Sequence, residues 1–226
     1  MPEALSVSGL AVPGQGASPL VSIDDLRLEA GQSLGVRGAS GAGKSTLLFA
    51  LAGLFDTAVG KVVWHGTDLM SLTPDQRGAF RAAEIGFVFQ DFLLFEELSG
   101  FENAALPALF TPAQERAGLR QRARDLLHRL EVRHPQRPVD SYSGGERQRV
   151  GIARELANDA KILLADEPTA NLPREMADQV CATLVETIRP QGRTLIVASH
   201  DPGLLARMDR VVTLLDGRLV AENPTT

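Results

Sequence analysis

Residues 38–45 read Gly-Ala-Ser-Gly-Ala-Gly-Lys-Ser, and this stretch decides the fold. It fits the pattern G-x-x-x-x-G-K-[ST], a glycine-rich loop between a strand and a helix. Residues 33–36 before it predict a short buried strand, and residues 46–54 after it predict an apolar helix that ends at Gly53. Because unpaired N–H groups and the helix dipole point at one place in such a unit, the loop predicts an anion-binding site.

The chemistry of the loop favours a nucleoside triphosphate with Mg²⁺ as its ligand. Glycines let the backbone turn its amides inward, Lys44 can reach the β- and γ-phosphates, and the Ser45 hydroxyl can bind Mg²⁺. A dinucleotide loop is disfavoured, because Gly41-x-Gly43 is followed by Lys-Ser-Thr and not by a third glycine. The predicted phosphate-binding residues are Gly38, Ala39, Ser40, Gly41, Ala42, Gly43, Lys44, Ser45 and Thr46.

Composition limits the class of protein. The 226 residues are 44% apolar and 23% charged, which is typical of a globular α/β domain. The net charge of −5 gives no support to a nucleic-acid partner, so none is expected. The single cysteine, Cys181, falls in an apolar helical pattern and predicts a buried structural thiol. We expect neither a signal peptide nor a membrane span.

Strands and helices alternate on both sides of the loop, which predicts an α/β fold with a mostly parallel sheet. Residues 5–10 and 21–28 predict an antiparallel β edge beside the strand of the loop. Residues 91–158 have a helical pattern without a convincing strand, so they are predicted to be a helical subdomain inserted into an ATP-binding core of residues 1–90 and 159–226. We expect the whole chain, 1–226, to be one domain.

Two helix starts are predicted from capping boxes. Thr73, Pro74 and Gln76 occupy the N-cap, N1 and N3 positions of a short helix, and residues 111–114 repeat the pattern. A following apolar face predicts an amphipathic helix. Its arginines are predicted to face solvent, with contact to a partner as the alternative, and they are Arg116, Arg120, Arg122, Arg124 and Arg129.

Polar residues stand at the ends of three further predicted strands. Because ligands of parallel sheets bind at the carboxyl ends of the strands, one site could collect them with the loop. Asp166 can bind Mg²⁺, and Glu167 can orient or deprotonate the attacking water. Gln90 can contact Mg²⁺ or that water, and His200 can donate to a γ-phosphate.

A second anion site is predicted at Ser143, Gly144, Gly145 and Glu146, which open a helix. The alternative is an ordinary serine N-cap. A chain with one nucleotide loop and a second anion site suggests a shared ligand. The two sites would meet if two subunits packed head-to-tail.

These motifs together resemble the nucleotide-binding subunit of an ABC transporter over nearly the whole chain. They occur in the family's order: the Walker A loop, the Q-loop at Gln90, the signature segment at residues 142–146, Walker B at residues 162–167 and the switch His200. Residues 86–90, 102–107 and 164–172 further resemble the lipoprotein-release, macrolide-export and FtsE-like branch.

The resemblance implies ATP hydrolysis at the interface of a homodimer or heterodimer of ATP-binding subunits, coupled to a separate membrane permease. It implies a peripheral position on the cytoplasmic face of the membrane, with residues 91–97 in the groove that receives the permease. An FtsE-like regulatory ATPase, which signals without transport, is the alternative. A soluble ATPase of nucleic acid or ribosomes is disfavoured, because such proteins usually carry two cassettes or long insertions.

Two positions depart from the family pattern. Pro173 stands where the family places the D-loop aspartate, which crosses the dimer interface. Residues 11–13, Ala-Val-Pro, offer no aromatic ring to stack on adenine. We therefore expect weak dimerisation, slow hydrolysis and weak discrimination between bases.

Overall fold

The computed structural model describes residues 3–14, 16, 18–89, 91–170, 172–188 and 192–224. Their strands form two sheets, one of six strands in the order β10-β9-β3-β8-β7-β6 and one of four in the order β2-β1-β4-β5. The strands are β1 (Glu3–Val12), β2 (Val21–Glu29), β3 (Ser33–Arg37), β4 (Val59–Trp64), β5 (Thr67–Asp68), β6 (Ile85–Val88), β7 (Ile162–Asp166), β8 (Thr194–Ala198), β9 (Arg210–Leu215) and β10 (Arg218–Pro224).

The helices cover the larger sheet and continue from several of its strands. They are α1 (Lys44–Leu51), α2 (Pro74–Glu84), α3 (Gly100–Ala104), α4 (Arg116–Arg129), α5 (Gly144–Ala157), α6 (Arg174–Ile188) and α7 (Pro202–Leu205). Short 3₁₀ turns occur at Leu69–Ser71, Leu106–Leu109 and Val139–Ser141. None of the helices in the described ranges combines the length and hydropathy needed to cross a membrane.

The six-stranded sheet is mostly parallel, as predicted. β3 lies between β8 and β9 and runs parallel to both, β7 and β6 continue the parallel order, and β10 adds an antiparallel edge. Alternate residues of β7 and β8 enter two different cores. Leu163 and Val197 pack with the helices α4 to α7, whereas Leu164 and Ile196 pack with α1 and the four-stranded sheet.

The antiparallel pairing of β1 with β2 confirms that part of the sequence prediction. The pair does not flank β3, however, because both hydrogen-bonding edges of β3 are already used by β8 and β9. It forms the separate four-stranded sheet instead. Trp64 of that sheet is fully buried, and its indole N–H donates to the Leu51 carbonyl at 2.8 Å. This bond fixes the C-terminal end of α1.

In its described residues the stretch from 91 to 158 consists of helices, 3₁₀ turns and loops without a strand, apart from one isolated bridge between Ser99 and Pro138. The predicted apolar face of α4 is buried, with Leu119, Ala123 and Leu127 almost fully enclosed. Most of the α4 arginines are exposed, as predicted. Arg122 is half-buried, and its Nε donates to the Ala157 carbonyl at 3.0 Å, which braces α4 against the end of α5.

One predicted helix start is confirmed and the other is wrong. Thr73 and Gln76 form the reciprocal bonds of a capping box at α2. Thr111 does not cap α4, which begins at Arg116 without a side-chain cap. The Thr111 hydroxyl instead donates to the Pro107 carbonyl at 2.9 Å. The preceding 3₁₀ turn offers that carbonyl, so the hydroxyl is engaged backward along the chain.

Cys181 lies on the inner face of α6 and is fully buried, as predicted. Burial raises the pKa of its thiol to about 11. At neutral pH it is therefore a protonated, unreactive member of the core.

Candidate nucleotide-binding site

The phosphate loop lies between β3 and α1 in a backbone conformation that requires glycine. Gly43, the N-cap of α1, has a φ of 96°, in the left-handed region that other residues rarely adopt. At Gly38, an added Cβ would lie 2.6 Å from the Leu214 carbonyl oxygen of β9. The loop can therefore run this close to the sheet only without a side chain at position 38.

The loop forms one wall of a cleft of about 640 Å³ at the carboxyl ends of β3, β7 and β8. Its lining is Gly38, Ala39, Ser40, Gly41, Gly43, Lys44, Ser45, Thr46, Asp166, Glu167, Ala170 and His200. The structure thus brings together the loop, the acidic pair and the histidine that the sequence placed at separate strand ends. Ala170 also lines the cleft and was missed, because an alanine carries no chemical signal in a sequence.

Lys44 is buried at the base of this cleft. Its Nζ donates to the carbonyl oxygens of Gly38, at 2.9 Å, and Ala39, at 3.2 Å, and lies 3.4 Å from Glu167 Oε1. These contacts hold the ammonium group where the loop closes on itself. A phosphate entering the loop would meet a fixed positive charge.

Glu167 connects Lys44 to His200. Its Oε2 lies 2.8 Å from His200 Nδ1, while its backbone N–H donates to the Ala198 carbonyl at 2.9 Å. The residue has a φ of 46°, an unfavourable backbone conformation for a glutamate and one that often occurs at functional sites. The carboxylate is only 12% exposed, whereas the imidazole is 72% exposed. A carboxylate held this way can accept a proton from a water molecule in the cleft.

Asp166 is buried at the end of β7. Burial raises the pKa of its carboxyl, a hydrogen bond from the Ser45 hydroxyl opposes that rise, and the negative charge of Glu167 adds to it. Its Oδ1 has no hydrogen-bond partner among the described residues. A buried, unsatisfied carboxylate oxygen beside a hydroxyl is a fitting ligand pair for Mg²⁺.

The donor set is small, which also suits Mg²⁺. In the ranges that the structure describes, no three His, Cys, Asp or Glu side chains gather into a metal-binding group. Mg²⁺ usually keeps several waters and takes one or two protein oxygens together with substrate phosphates. Ser45 and Asp166 meet that requirement.

The second predicted anion site lies at the N-terminus of α5 and contributes nothing to the lining of the cleft. Ser143 and Glu146 form a capping box: the Ser143 Oγ accepts from the Glu146 N–H at 3.3 Å, and the Glu146 Oε2 accepts from the Ser143 N–H at 3.0 Å. The serine is therefore an N-cap, as the plainer alternative expected. Gly144 leaves open space above the helix end, where an added Cβ would meet no atom within 4 Å.

Gln148 links this helix to the cleft and was not singled out in the sequence. Its side chain is buried and its Nε2 donates to the carbonyl of Pro168, the residue after Glu167. A glutamine in a charged stretch gives no sign that it lies on the inner face of its helix. Only the packing of α5 against the end of β7 reveals the contact.

Gln90, predicted as a catalytic and Mg²⁺-binding residue, lies outside the described residues. The segment after it is described from Asp91. Arg154 of α5 donates to the carbonyl oxygens of Phe92, at 3.0 Å, and Leu93, at 2.8 Å. The side chains of Leu93 and Phe95 are more than half exposed. Asn171, two residues before Pro173, also lies outside the described residues.

Comparison with known proteins identifies similar chains. A family model described as ABC transporter matches residues 21–170. The lipoprotein-releasing system ATP-binding protein LolD of Hyphomonas neptunium is 38% identical over 220 residues, which cover 96% of this chain and 96% of that protein. The macrolide export ATP-binding/permease protein MacB 1/2 of Paracoccus denitrificans is 40% identical over 94% of this chain. The match spans only 32% of that longer relative.

Solved structures agree with these matches. The dimeric structure of MJ0796, a bacterial ABC transporter cassette, has a TM-score of 0.89 and 29% identity, covering 98% of this chain and 99% of that one. A dimeric post-hydrolysis state of the same cassette, bound to ADP and Pi, has a TM-score of 0.86 and 30% identity, with the same coverage.

Proposed function

This chain belongs to the ABC transporter family, and we propose that it is the subunit that binds and hydrolyses ATP, dimerises on ATP and drives a membrane permease. The observation that carries the proposal is the contact series Lys44–Glu167–His200 at the mouth of the phosphate loop. It joins a phosphate-binding cation to a carboxylate suited to activate water. In this proposal residues 1–90 and 159–226 are the ATP-binding core, and residues 91–158 are the helical subdomain.

The phosphate loop holds the substrate. Backbone amides of residues 38–46 surround the phosphates, and Lys44 supplies the positive charge opposite the β- and γ-phosphates. Ser45 and Asp166 would hold Mg²⁺, with Gln90 as a further ligand. The ion, when bound, neutralises phosphate charge as the bond to the γ-phosphate breaks.

Glu167 is the proposed general base. It accepts the proton of the attacking water, and His200 orients the Glu167 carboxylate and donates to the γ-phosphate. Water supplies the oxygen, and the products are ADP and inorganic phosphate. Gln90 is proposed to contact the same water.

The second site, at residues 143–146, is proposed to act across a dimer. Ser143, Gly144, Gly145 and Glu146 would face the γ-phosphate held by another ATP-binding subunit, identical or related. Support comes from the separation of this site from the cleft within one chain and from the dimers formed by the similar cassette MJ0796.

Transport requires a membrane partner, and the similar LolD protein is by name part of a lipoprotein-releasing system. We place this chain at the cytoplasmic face as a peripheral subunit. A groove of about 650 Å³ offers a docking site for a helix of the permease. Small side chains of α2, at Ala79, Ala82 and Ala83, form one wall, and Phe110, which is 85% exposed, forms the other. The exposed side chains of Leu93 and Phe95 offer a further apolar contact.

Replacement of Phe110 tests this docking site. Phe110→Ser should lower recovery of the permease in pull-downs from membranes at least severalfold, because an exposed aromatic anchor often dominates such contacts. Basal ATP hydrolysis should not change. Val59→Ser, which removes another exposed apolar side chain on the four-stranded sheet, is the control. Equal recovery with both variants would place the permease elsewhere.

Glu167→Gln tests the central proposal. Hydrolysis of Mg²⁺-ATP should fall roughly 10²–10⁴-fold, the usual contribution of a positioned general base, while ATP affinity is kept. An ATP-bound dimer should then accumulate and elute earlier in size-exclusion chromatography. Glu175→Gln, at an exposed position of α6, is the matched control. Turnover near that of the wild type in Glu167→Gln would overturn the assignment.

A further inference from the structure

Arg174, the first residue of α6, joins two helices that begin next to the cleft. Its guanidinium group contacts Asp178, one turn further along α6, through Nη2 at 2.8 Å and Nε at 3.1 Å. Its third nitrogen, Nη1, donates to Asp201 Oδ1 at 3.1 Å. One planar group thus uses all three of its nitrogens on two carboxylates, and we call this set of three residues the Arg174 clamp.

Asp201 lies between His200 and α7. It directly follows His200 and is the N-cap of α7, where its Oδ1 accepts from the Gly203 N–H at 2.8 Å. Burial alone would raise the pKa of its carboxyl, but the Gly203 N–H and Arg174 stabilise the charged form, and the pKa lies below its usual value. The carboxylate therefore stays charged and available to Arg174 at neutral pH.

Gly203 provides the space that the clamp needs. A Cβ added there would overlap Arg174 Nη2 and lie only 3.1 Å from the guanidinium carbon. The guanidinium group therefore lies directly across the first turn of α7. An arginine at a helix N-terminus is disfavoured by the helix dipole, so its place in α6 depends on the two carboxylates.

The clamp is connected to the proposed reacting groups, Glu167 and His200, through both chain segments that it joins. Asp201 fixes the backbone beside His200, and His200 Nδ1 lies 2.8 Å from the Glu167 carboxylate. On the other side, Arg174 follows Pro173, at the end of the segment that begins with Glu167. The clamp therefore connects the two chain segments that supply Glu167 and His200.

We propose that Arg174 is a positioning residue for hydrolysis: it holds the His200 loop against the start of α6 and so keeps Glu167 and His200 in register. This inference rests on the proposed ATPase function. Exposed ion pairs usually contribute little to stability, and Arg174 is 62% exposed, so the clamp is expected to act on alignment more than on folding. Its planar, forked geometry suits that role better than an ammonium group would.

The test is steady-state hydrolysis of Mg²⁺-ATP by the full chain. Arg174→Ala should lower kcat roughly three- to tenfold, the range expected for residues coupled in one network, and leave KM for ATP within about twofold. Arg174→Lys should restore only part of the rate, because an ammonium group cannot bridge both carboxylates. Gly203→Ala should reproduce the loss by displacing the guanidinium group.

Arg207→Ala is the matched control. Arg207 is also partly exposed and lies 4.0 Å from the same Asp178, yet within the described residues it forms no ion pair with Asp201. Its removal should leave kcat unchanged. An equal kcat for wild type and Arg174→Ala would overturn the inference, as would a loss of rate matched by a lowered melting temperature.

Amide hydrogen exchange gives a second readout that does not depend on turnover. Peptides covering residues 200–206 should exchange faster in Arg174→Ala and at the wild-type rate in Arg207→Ala. Unchanged exchange in Arg174→Ala would show that the clamp does not hold the loop. Failure of the proposed function looks different: wild type and Glu167→Gln would then have the same ATPase rate.

Discussion

The carboxylate of Asp166 has a raised pKa because it is buried and lies beside the charge of Glu167. The folded state therefore binds a proton at this site more tightly than the unfolded state does. The contribution of Asp166 to stability is greatest below its unfolded pKa and is lost as the pH rises through the higher, folded pKa. At neutral pH the charged side chain therefore lowers the stability of the ligand-free fold.

Asp166→Asn should separate stability from activity. Without nucleotide or Mg²⁺, the variant should be more stable than wild type at pH 7.5 by about 1 kcal/mol, since it removes a buried charge. This advantage should shrink as the pH falls towards 4. Chemical denaturation at several pH values would measure it, with the exposed Asp24→Asn as the control.

Hydrolysis that depends on Mg²⁺ should be lost in Asp166→Asn, because a neutral amide is a weaker Mg²⁺ ligand than a carboxylate. A variant that is less stable than wild type at pH 7.5, or that keeps its hydrolysis, would contradict this view of Asp166.

Single residues were predictable where chemistry and strand order coincide. Asp166 ends an apolar strand, Glu167 and His200 come shortly after one, and Lys44 follows the glycine loop after β3. The carboxyl ends of neighbouring parallel strands meet at one edge. The contacts of Gln148 with Pro168 and of Arg174 with Asp201 were not predictable, because they depend on tertiary packing and not on any local pattern. No sequence rule pairs Arg174 with a residue 27 positions away.

At the scale of one element, Pro173 stands directly before α6. The helix begins at Arg174, and the Pro173 carbonyl accepts from the Ala177 N–H at 2.9 Å. Pro173 is thus the N-cap, a position where a side-chain acceptor would normally satisfy a free N–H group. Proline provides neither that acceptor nor a charge.

Pro173→Asp should raise the basal ATPase rate and, in the Glu167→Gln background, the fraction of ATP-bound dimer. In the proposed dimer, an aspartate at this position would place a carboxylate at the interface between the subunits. It also caps α6, which should stabilise the fold by about 1 kcal/mol. Pro173→Asn separates the effects, because it caps the helix without a charge.

If aspartate and asparagine raise the rate equally, the cap and not the interface contact is responsible. If neither changes the rate or the dimer fraction, Pro173 has no special role and a neighbouring residue makes the contact.

Helix ends illustrate what a local pattern can and cannot predict. The pattern at Thr73 gave the correct start of α2, because the reciprocal bonds lie within four residues. The same pattern at Thr111 failed, because the Pro107 carbonyl competes for the hydroxyl. Strands were predicted well for a similar reason: β3, β7 and β8 are buried on both faces and read as apolar runs.

For the whole molecule, the separation of the phosphate loop from the proposed second anion site predicts an assembly. Gly144→Asp should keep ATP binding by the monomer but prevent dimerisation and turnover, because a negative charge would meet the phosphate held by the other subunit. The fold should tolerate the change, since an added Cβ meets no atom within 4 Å. Equilibrium binding and size-exclusion chromatography would measure the two effects.

Gly78→Asp in α2 is a suitable control, because Gly78 is also loosely surrounded, with only Arg81 Nη2 near an added Cβ. Loss of ATP binding by the Gly144→Asp monomer would place the second site in the same chain and contradict the head-to-tail arrangement.

The layered architecture followed from alternating strands and helices, but the division into two sheets did not. The alternation of apolar and polar residues in β1 and β2 predicted their antiparallel pairing. The sheet that they join depends on whether β3 has a free hydrogen-bonding edge, and both of its edges pair with β8 and β9. That competition among distant strands is a property of the complete fold.

The buried thiol of Cys181 has a practical consequence for measuring the proposed dimerisation. Thiolate is the form that reacts with maleimides, and a pKa of about 11 leaves almost none at pH 7. A second cysteine introduced at an exposed site, such as Lys61→Cys, would therefore take up a dye or spin label alone. Distances between labels on two copies could follow the ATP cycle in a chain that keeps its native cysteine.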